Sequence, residues 1–282
     1  MLPVSELAPE PPPIYVPPPP DPSFWQGVWI FLQLQFIPAI VVLPLVIAGL
    51  KNDQKYHEHP LALLAGMLLA SVWVVRSYCR RSAVTLRALA GPLTITPALL
   101  PILAVGVVGM LLVETPLVLW LMVRFPFLDP KLDFGMAQSP FGAFLLIVIA
   151  APLTEELVFR AILLRGFAPR YGLTRAVVAA AALFALSHIF PIRLPGMFAV
   201  GFLLGWLFLR TGSIWPGVFT HAFNNAIAFV LMLAHPQPTP PQALEQLGPW
   251  PLPMLLAGAV LLATAILAAR RVLSNSPRLA VP

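Results

Sequence analysis

Pro152-Leu153-Thr154-Glu155-Glu156-Leu157-Val158-Phe159-Arg160 sits inside an apolar run from Phe141 to Leu164. That run is 24 residues long, enough to cross a bilayer as a helix. Two adjacent carboxylates and a guanidinium at membrane depth are costly, and such residues face a protein interior and mark functional sites. On an ideal α-helix Arg160 lies roughly 40° from Glu156 and roughly 140° from Glu155. Glu156 and Arg160 are therefore an i,i+4 pair with the acid on the N-terminal side, the favoured order, and are predicted to form a buried ion pair. Glu155 has no partner on its own helix and must find one elsewhere, stay protonated, or act on something. Both acids serving only helix packing is the plainer alternative, but one acid suffices to neutralise Arg160.

The rest of the chain has the same character. It has 282 residues, is 59% hydrophobic and 10% charged, and has a mean hydropathy of +0.87. This composition predicts an all-α, polytopic helical membrane bundle and leaves no room for a soluble domain. The net charge of +6 does not predict a nucleic-acid partner, because the basic residues cluster at span ends. The lone Cys79 excludes an intramolecular disulfide and a Cys-rich metal site.

Residues 1–24 hold ten prolines and no Lys or Arg, which predicts a disordered, polyproline-type tail. About eight transmembrane helices are expected after it. They cover about Phe24–Leu50, Leu61–Tyr78, Leu99–Val123, Phe141–Leu164, Thr174–Phe190, Leu194–Leu209, Ile214–Ala234 and Leu252–Ala269. The expected division is a tail (1–24), three N-terminal helices with loops (25–135), a core of helices four to seven (136–235), and a Pro-rich loop, last helix and basic tail (236–282). With a cytoplasmic N-terminus, inside segments hold eleven Lys and Arg residues and outside segments five. That bias predicts an integral multi-pass protein with both termini cytoplasmic.

Two more polar clusters lie inside spans: Phe184-Ala185-Leu186-Ser187-His188 in the fifth and His221-Ala222-Phe223-Asn224-Asn225 in the seventh. A lone histidine on an apolar helix is usually a hydrogen-bonded core residue. Here two occur on separate spans, while His57, His59 and His235 fall in loops and read as solvated. His221 and Asn225 share one helix face, as do Phe184 and His188. Rises of ~1.5 Å per residue put Glu155, His188, His221 and Asn225 at overlapping depths, so the four groups are expected to meet within the bilayer. Glu114, two residues before Pro116, is expected to bond backbone freed by that proline. Gln33 and Gln35 are expected to join helices.

Glu155-Glu156-x-x-x-Arg160, Phe184-x-x-x-His188 and His221-x-x-x-Asn225 resemble, in order and spacing, the three motifs of the CPBP family. These are the CAAX proteases and bacteriocin-processing enzymes, also called the Abi family. Thr211-Gly212-Ser213-Ile214-Trp215-Pro216 before His221 fits as well, and is closer to the bacterial branch, which would place the chain in a plasma or inner membrane. The resemblance covers roughly residues 140–230. It implies an intramembrane endopeptidase acting on a membrane-associated, prenylated or other peptide substrate that enters from the membrane or the cytoplasmic side. The implied catalytic residues are Glu155, His188, His221 and Asn225, supported by Glu156, Arg160 and Phe184.

Two chemistries fit these side chains. In one, Glu155, His188 and His221 bind Zn²⁺ and leave a position for water. In the other, without metal, Glu155 and His188 polarise the water while His221 and Asn225 donate to the oxyanion. Asn225 suits an oxyanion donor better than a zinc ligand, which favours the second. No H-E-x-x-H or G-x-S-x-G occurs, so other protease classes fit worse. The rival classes are a proton- or cation-coupled transporter using Glu155, His188 and His221 as a relay, and a catalytically silent immunity or scaffold protein.

Overall fold

The structure, a computed structural model, describes residues 22–52, 59–93, 95–128, 139–188, 191–234, 240–248 and 251–275. Most of the proline tail, Lys55, His57, Lys131, His235 and the basic end after Asn275 lie outside the described residues. Twelve α-helical segments follow in order among the described residues, with no strand. They are α1 (Phe24–Asn52), α2 (Pro60–Ser82), α3 (Leu86–Ala90), α4 (Leu99–Arg124), α5 (Pro140–Phe144), α6 (Ala151–Glu155), α7 (Arg165–Tyr171), α8 (Leu173–Ser187), α9 (Leu194–Thr211), α10 (Trp215–Ala234), α11 (Pro240–Leu247) and α12 (Pro251–Val272). The chain is an integral, multi-pass, all-α bundle. Among the described residues, seven helical stretches are long and apolar enough to cross a membrane.

The predicted fifth span is shorter than expected. α8 has 15 residues, roughly 22 Å of helix, and stops at Ser187 instead of continuing to Phe190. Pro191 lies just beyond, and the residue before a proline is pushed out of the helical region. His188 is thus the C-cap of α8 and not a mid-helix residue. The expected Pro-rich loop after α10 also differs, since residues 240–247 form α11. His59 is no free loop side chain: it caps α2, its Nδ1 accepting from the Leu61 N–H at 3.3 Å.

The fourth span is one continuous helical stretch, Pro140–Tyr171, but it is not a regular α-helix. Two π-helical stretches, Leu145–Ala150 and Glu156–Leu164, separate α5, α6 and α7. π-helical turns of this kind occur mostly at functional sites, and these two flank Glu155.

Small residues bring the helices together, as membrane packing requires in the absence of a hydrophobic drive between helices. A Cβ on Gly109 of α4 would lie 2.8 Å from the Gly258 carbonyl of α12, and one on Gly258 would lie 2.6 Å from the Gly109 carbonyl. α1 and α2 are joined by the Trp73 indole, which donates to Gln33 Oε1 at 3.0 Å. Glu114 does not fold back on its own helix. Its carboxyl lies against the start of α9, where a Cβ on Gly196 would come within 2.5 Å of Oε1. At the other end of α9, Thr211-Gly212-Ser213 makes the turn into α10. Gly212 takes the left-handed conformation at φ 63°. The Ser213 hydroxyl donates to Pro92 O at 2.8 Å, and the Ile214 N–H donates to Ala90 O at 3.0 Å. These bonds dock the α3 segment and fix where α10 starts, one helical turn or two before His221.

Candidate active site

The predicted ion pair is present. Arg160 Nη1 lies 2.9 Å from Glu156 Oε1, and both side chains are buried. Arg160 is fixed on two further sides. Nη2 donates to Gly201 O at 3.2 Å, and the guanidinium carbon sits 4.4 Å from the centroid of the Phe184 ring. A buried cation survives only when its charge and donors are met in this way. Gly201 makes this approach possible, because a Cβ there would meet Phe184 Cδ1 at 3.0 Å and Ala181 Cα at 3.1 Å.

Phe184 is the hub of the site. Its fully buried ring meets His188 edge-on at 4.8 Å and His221 at 5.7 Å between centroids, and packs on Phe159 at 5.4 Å. One face carries Arg160 while its rim sets the two imidazoles. The i,i+4 spacing of Phe184 and His188 persists although the helix ends between Ser187 and His188.

A hydrogen bond fixes the tautomer of His188. His188 Nδ1 is 2.9 Å from Phe184 O. A carbonyl only accepts, so Nδ1 carries the proton and Nε2 of the neutral ring is a free acceptor. His221 Nδ1 lies 3.4 Å from Glu156 Oε1, and its Nε2 lies 3.9 Å from Glu155 Oε2. Glu156 thus faces both Arg160 and His221, which helical spacing alone did not reveal. Glu155 lies opposite His221 on another helix. Its side chain is 23% exposed, yet Oε2 is buried and accepts no hydrogen bond. A gap of 3.9 Å is too long for a direct hydrogen bond.

Asn225 is held from the fourth span. Its Nδ2 donates to Ile147 O at 2.9 Å, within the first π-helical stretch. The Ala151 N–H there bonds five residues back, to Leu146 O. In the same register Ile147 O would accept from residue 152, which is proline and has no N–H. The Asn225 amide fills that vacancy and keeps its second N–H. Its Oδ1 accepts from Asn224 Nδ2 at 3.3 Å.

Sequence reasoning did not single out Gly217. A Cβ at Gly217 would sit 2.6 Å from Glu156 Oε2, so only glycine lets the carboxylate lie against α10. The available signal was its place in Trp215-Pro216-Gly217, four residues before His221 and on the same face.

Glu155 and His221 fit two ligands of a His₂Glu zinc. Among the described residues, however, no three His, Cys, Asp or Glu side chains gather closely enough to hold a metal ion. The described side chains as placed do not complete a zinc site.

Residues 137–227 match the family described as type II CAAX prenyl endopeptidase Rce1-like. The chain is similar to the Rattus norvegicus protein named CAAX prenyl protease 2, with 37% identity over 113 residues, covering 40% of this chain and 33% of that protein. It is similar to the Homo sapiens protein of the same name, with 34% identity over 123 residues, covering 36% of this chain and 37% of that protein. The chain thus spans about a third of the length of the curated relatives it matches. No solved structure matches it. The matched segment contains every motif position described above, from Glu155 to Asn225, and it is through this segment that the chain resembles the CAAX prenyl endopeptidases.

Proposed function

We propose that the protein is an intramembrane endopeptidase that hydrolyses a peptide bond of a membrane-associated substrate, with a prenylated C-a-a-X peptide as the first candidate. The observation that carries this reading is the opposition of Glu155 Oε2 and His221 Nε2 across two helices, 3.9 Å apart. A partly exposed acid can take a proton from water while the imidazole opposite donates to the oxyanion that forms. The names of the rat and human relatives support the substrate class.

In this reading Glu155 and the free Nε2 of His188 accept hydrogen bonds from one water. Water oxygen attacks the scissile carbonyl carbon, and its proton passes to Glu155. His221, whose Nδ1 faces Glu156, donates Nε2–H to the oxyanion. The second N–H of Asn225 is the other donor. Glu155 then returns the proton to the leaving amine as the C–N bond breaks, so the site ends in its starting state. Phe184, Arg160 and Glu156 hold the geometry and do not exchange protons with substrate. The same three side chains, Glu155, His188 and His221, define the zinc alternative, in which the ion would supply an activated water.

The proposed topology puts both termini on the cytoplasmic side, following the excess of basic residues there. The test of function is purified protein in proteoliposomes with a farnesylated C-a-a-X peptide and no ion gradient. Cleavage by wild type and none by Glu155→Gln supports the reading. Absence of cleavage together with gradient-driven uptake would establish the transporter instead. Elemental analysis separates the two chemistries: about one zinc per chain, lost in His221→Ala, selects the metal.

A further inference from the structure

A second concavity lies outside the catalytic cluster, on the outer side of the α8–α9 hairpin. It encloses about 410 Å³, within the range of small-molecule sites. Val177, Phe202, Trp206 and Leu209 form its apolar walls, and Thr174 and Arg210 stand at one end. Gly201 turns inward to receive Arg160; the next residue, Phe202, is exposed and faces the groove.

The charge at that end is one-sided. α8 begins and α9 ends there, with Arg175 in the first turn of α8. No acidic residue occurs between Glu156 and Glu245. Among the described residues, no carboxylate pairs with Arg210; its guanidinium carbon lies 5.9 Å from the Trp206 ring centroid. A tryptophan and an arginine at the end of a membrane helix mark the level of the lipid headgroups. Basic pockets between transmembrane helices bind anionic headgroups, and guanidinium matches phosphate geometry.

We propose that this groove is a binding site for an anionic phospholipid. One acyl chain lies along Val177, Phe202 and Leu209, and the phosphate sits at Arg210 beside the Thr174 hydroxyl. The proposal requires only that the bundle be membrane-embedded, and does not rest on the endopeptidase reading.

The test is native mass spectrometry of the full chain with added dioleoylphosphatidylglycerol or dioleoylphosphatidylcholine. Wild type should retain the anionic lipid about fivefold better, the contribution of one arginine near a headgroup. Arg210→Gln should bring the two lipids to parity without lowering phosphatidylcholine retention. Thr174→Trp, whose indole blocks the mouth of the groove, should reduce retention of both. Equal retention by wild type, or a preference that survives Arg210→Gln, overturns the proposal. So does displacement of phosphatidylglycerol by farnesyl-cysteine methyl ester in wild type, which would assign the groove to a substrate's prenyl chain. None of these readouts involves peptide cleavage.

Discussion

His221 Nδ1 faces Glu156 Oε1 at 3.4 Å, the same oxygen that lies 2.9 Å from Arg160 Nη1. One buried carboxylate therefore faces a guanidinium and an imidazole on different helices. It neutralises the guanidinium that braces Phe184, and it orients the imidazole opposite Glu155. Structure and chemistry share an atom here, and the two glutamates should separate in mutagenesis for this reason.

Glu155→Gln changes one atom and removes a charge that Arg160 does not need. Thermal stability in detergent should stay near wild type. Turnover should fall by ~10²–10⁴, the usual loss for a general base. A Glu155→Gln protein that cleaves the farnesylated peptide at the normal rate would remove Glu155 from the mechanism.

Glu156→Gln should lower both stability and activity. Breaking a buried pair costs ~3–5 kcal/mol when one partner remains charged, and Arg160 would remain. His221 loses its anionic acceptor at the same time. Parallel melting and rate measurements should show a lower melting temperature with partial activity. Unchanged melting would show that Arg160 does not depend on Glu156.

Gly217→Ala tests the close approach of α10 to the glutamate helix. Its Cβ would stand 2.6 Å from Glu156 Oε2, so the carboxylate must move and carry Arg160 or His221 with it. Gly205→Ala is the control, because its nearest contacts would be ordinary at 3.4 Å. The first should lose most activity and some stability, and the second little of either. Equal tolerance at both positions would contradict the packing of Glu156 on Gly217.

Much of this was legible in the sequence because membranes restrict where charges can be. Glu155, Glu156 and Arg160 had to face inward, and i,i+4 spacing was enough to pair Glu156 with Arg160. What escaped depends on contacts between spans or on departures from ideal helix. The Glu156–His221 contact needs the relative rotation of two helices, which apolar periodicity does not encode. The early end of α8 leaves His188 as its cap, and the apolar composition of that segment carries no sign of it. The π-helical stretches around Glu155 change the hydrogen-bond register without changing composition. Gly217 reads as an ordinary small residue until the carboxylate beside it is seen.

Asn225 and Pro152 form the last test, because the two are linked through one carbonyl. Asn225 Nδ2 donates to Ile147 O, the group that Pro152 leaves without a backbone donor in the π register. Asn225→Ala should therefore do two things. It should remove an oxyanion donor, with a loss of ~10²–10³ in rate. It should also leave a carbonyl unsatisfied in the membrane interior, at a cost of ~1–3 kcal/mol. Pro152→Ala returns an N–H at residue 152. In the double variant Asn225→Ala/Pro152→Ala, melting temperature should recover toward wild type while the rate stays low. Recovery of both would show that Asn225 acts only through the backbone. Recovery of neither would show that Ile147 O does not limit stability, and would separate Asn225 from the π-helical stretch it bonds.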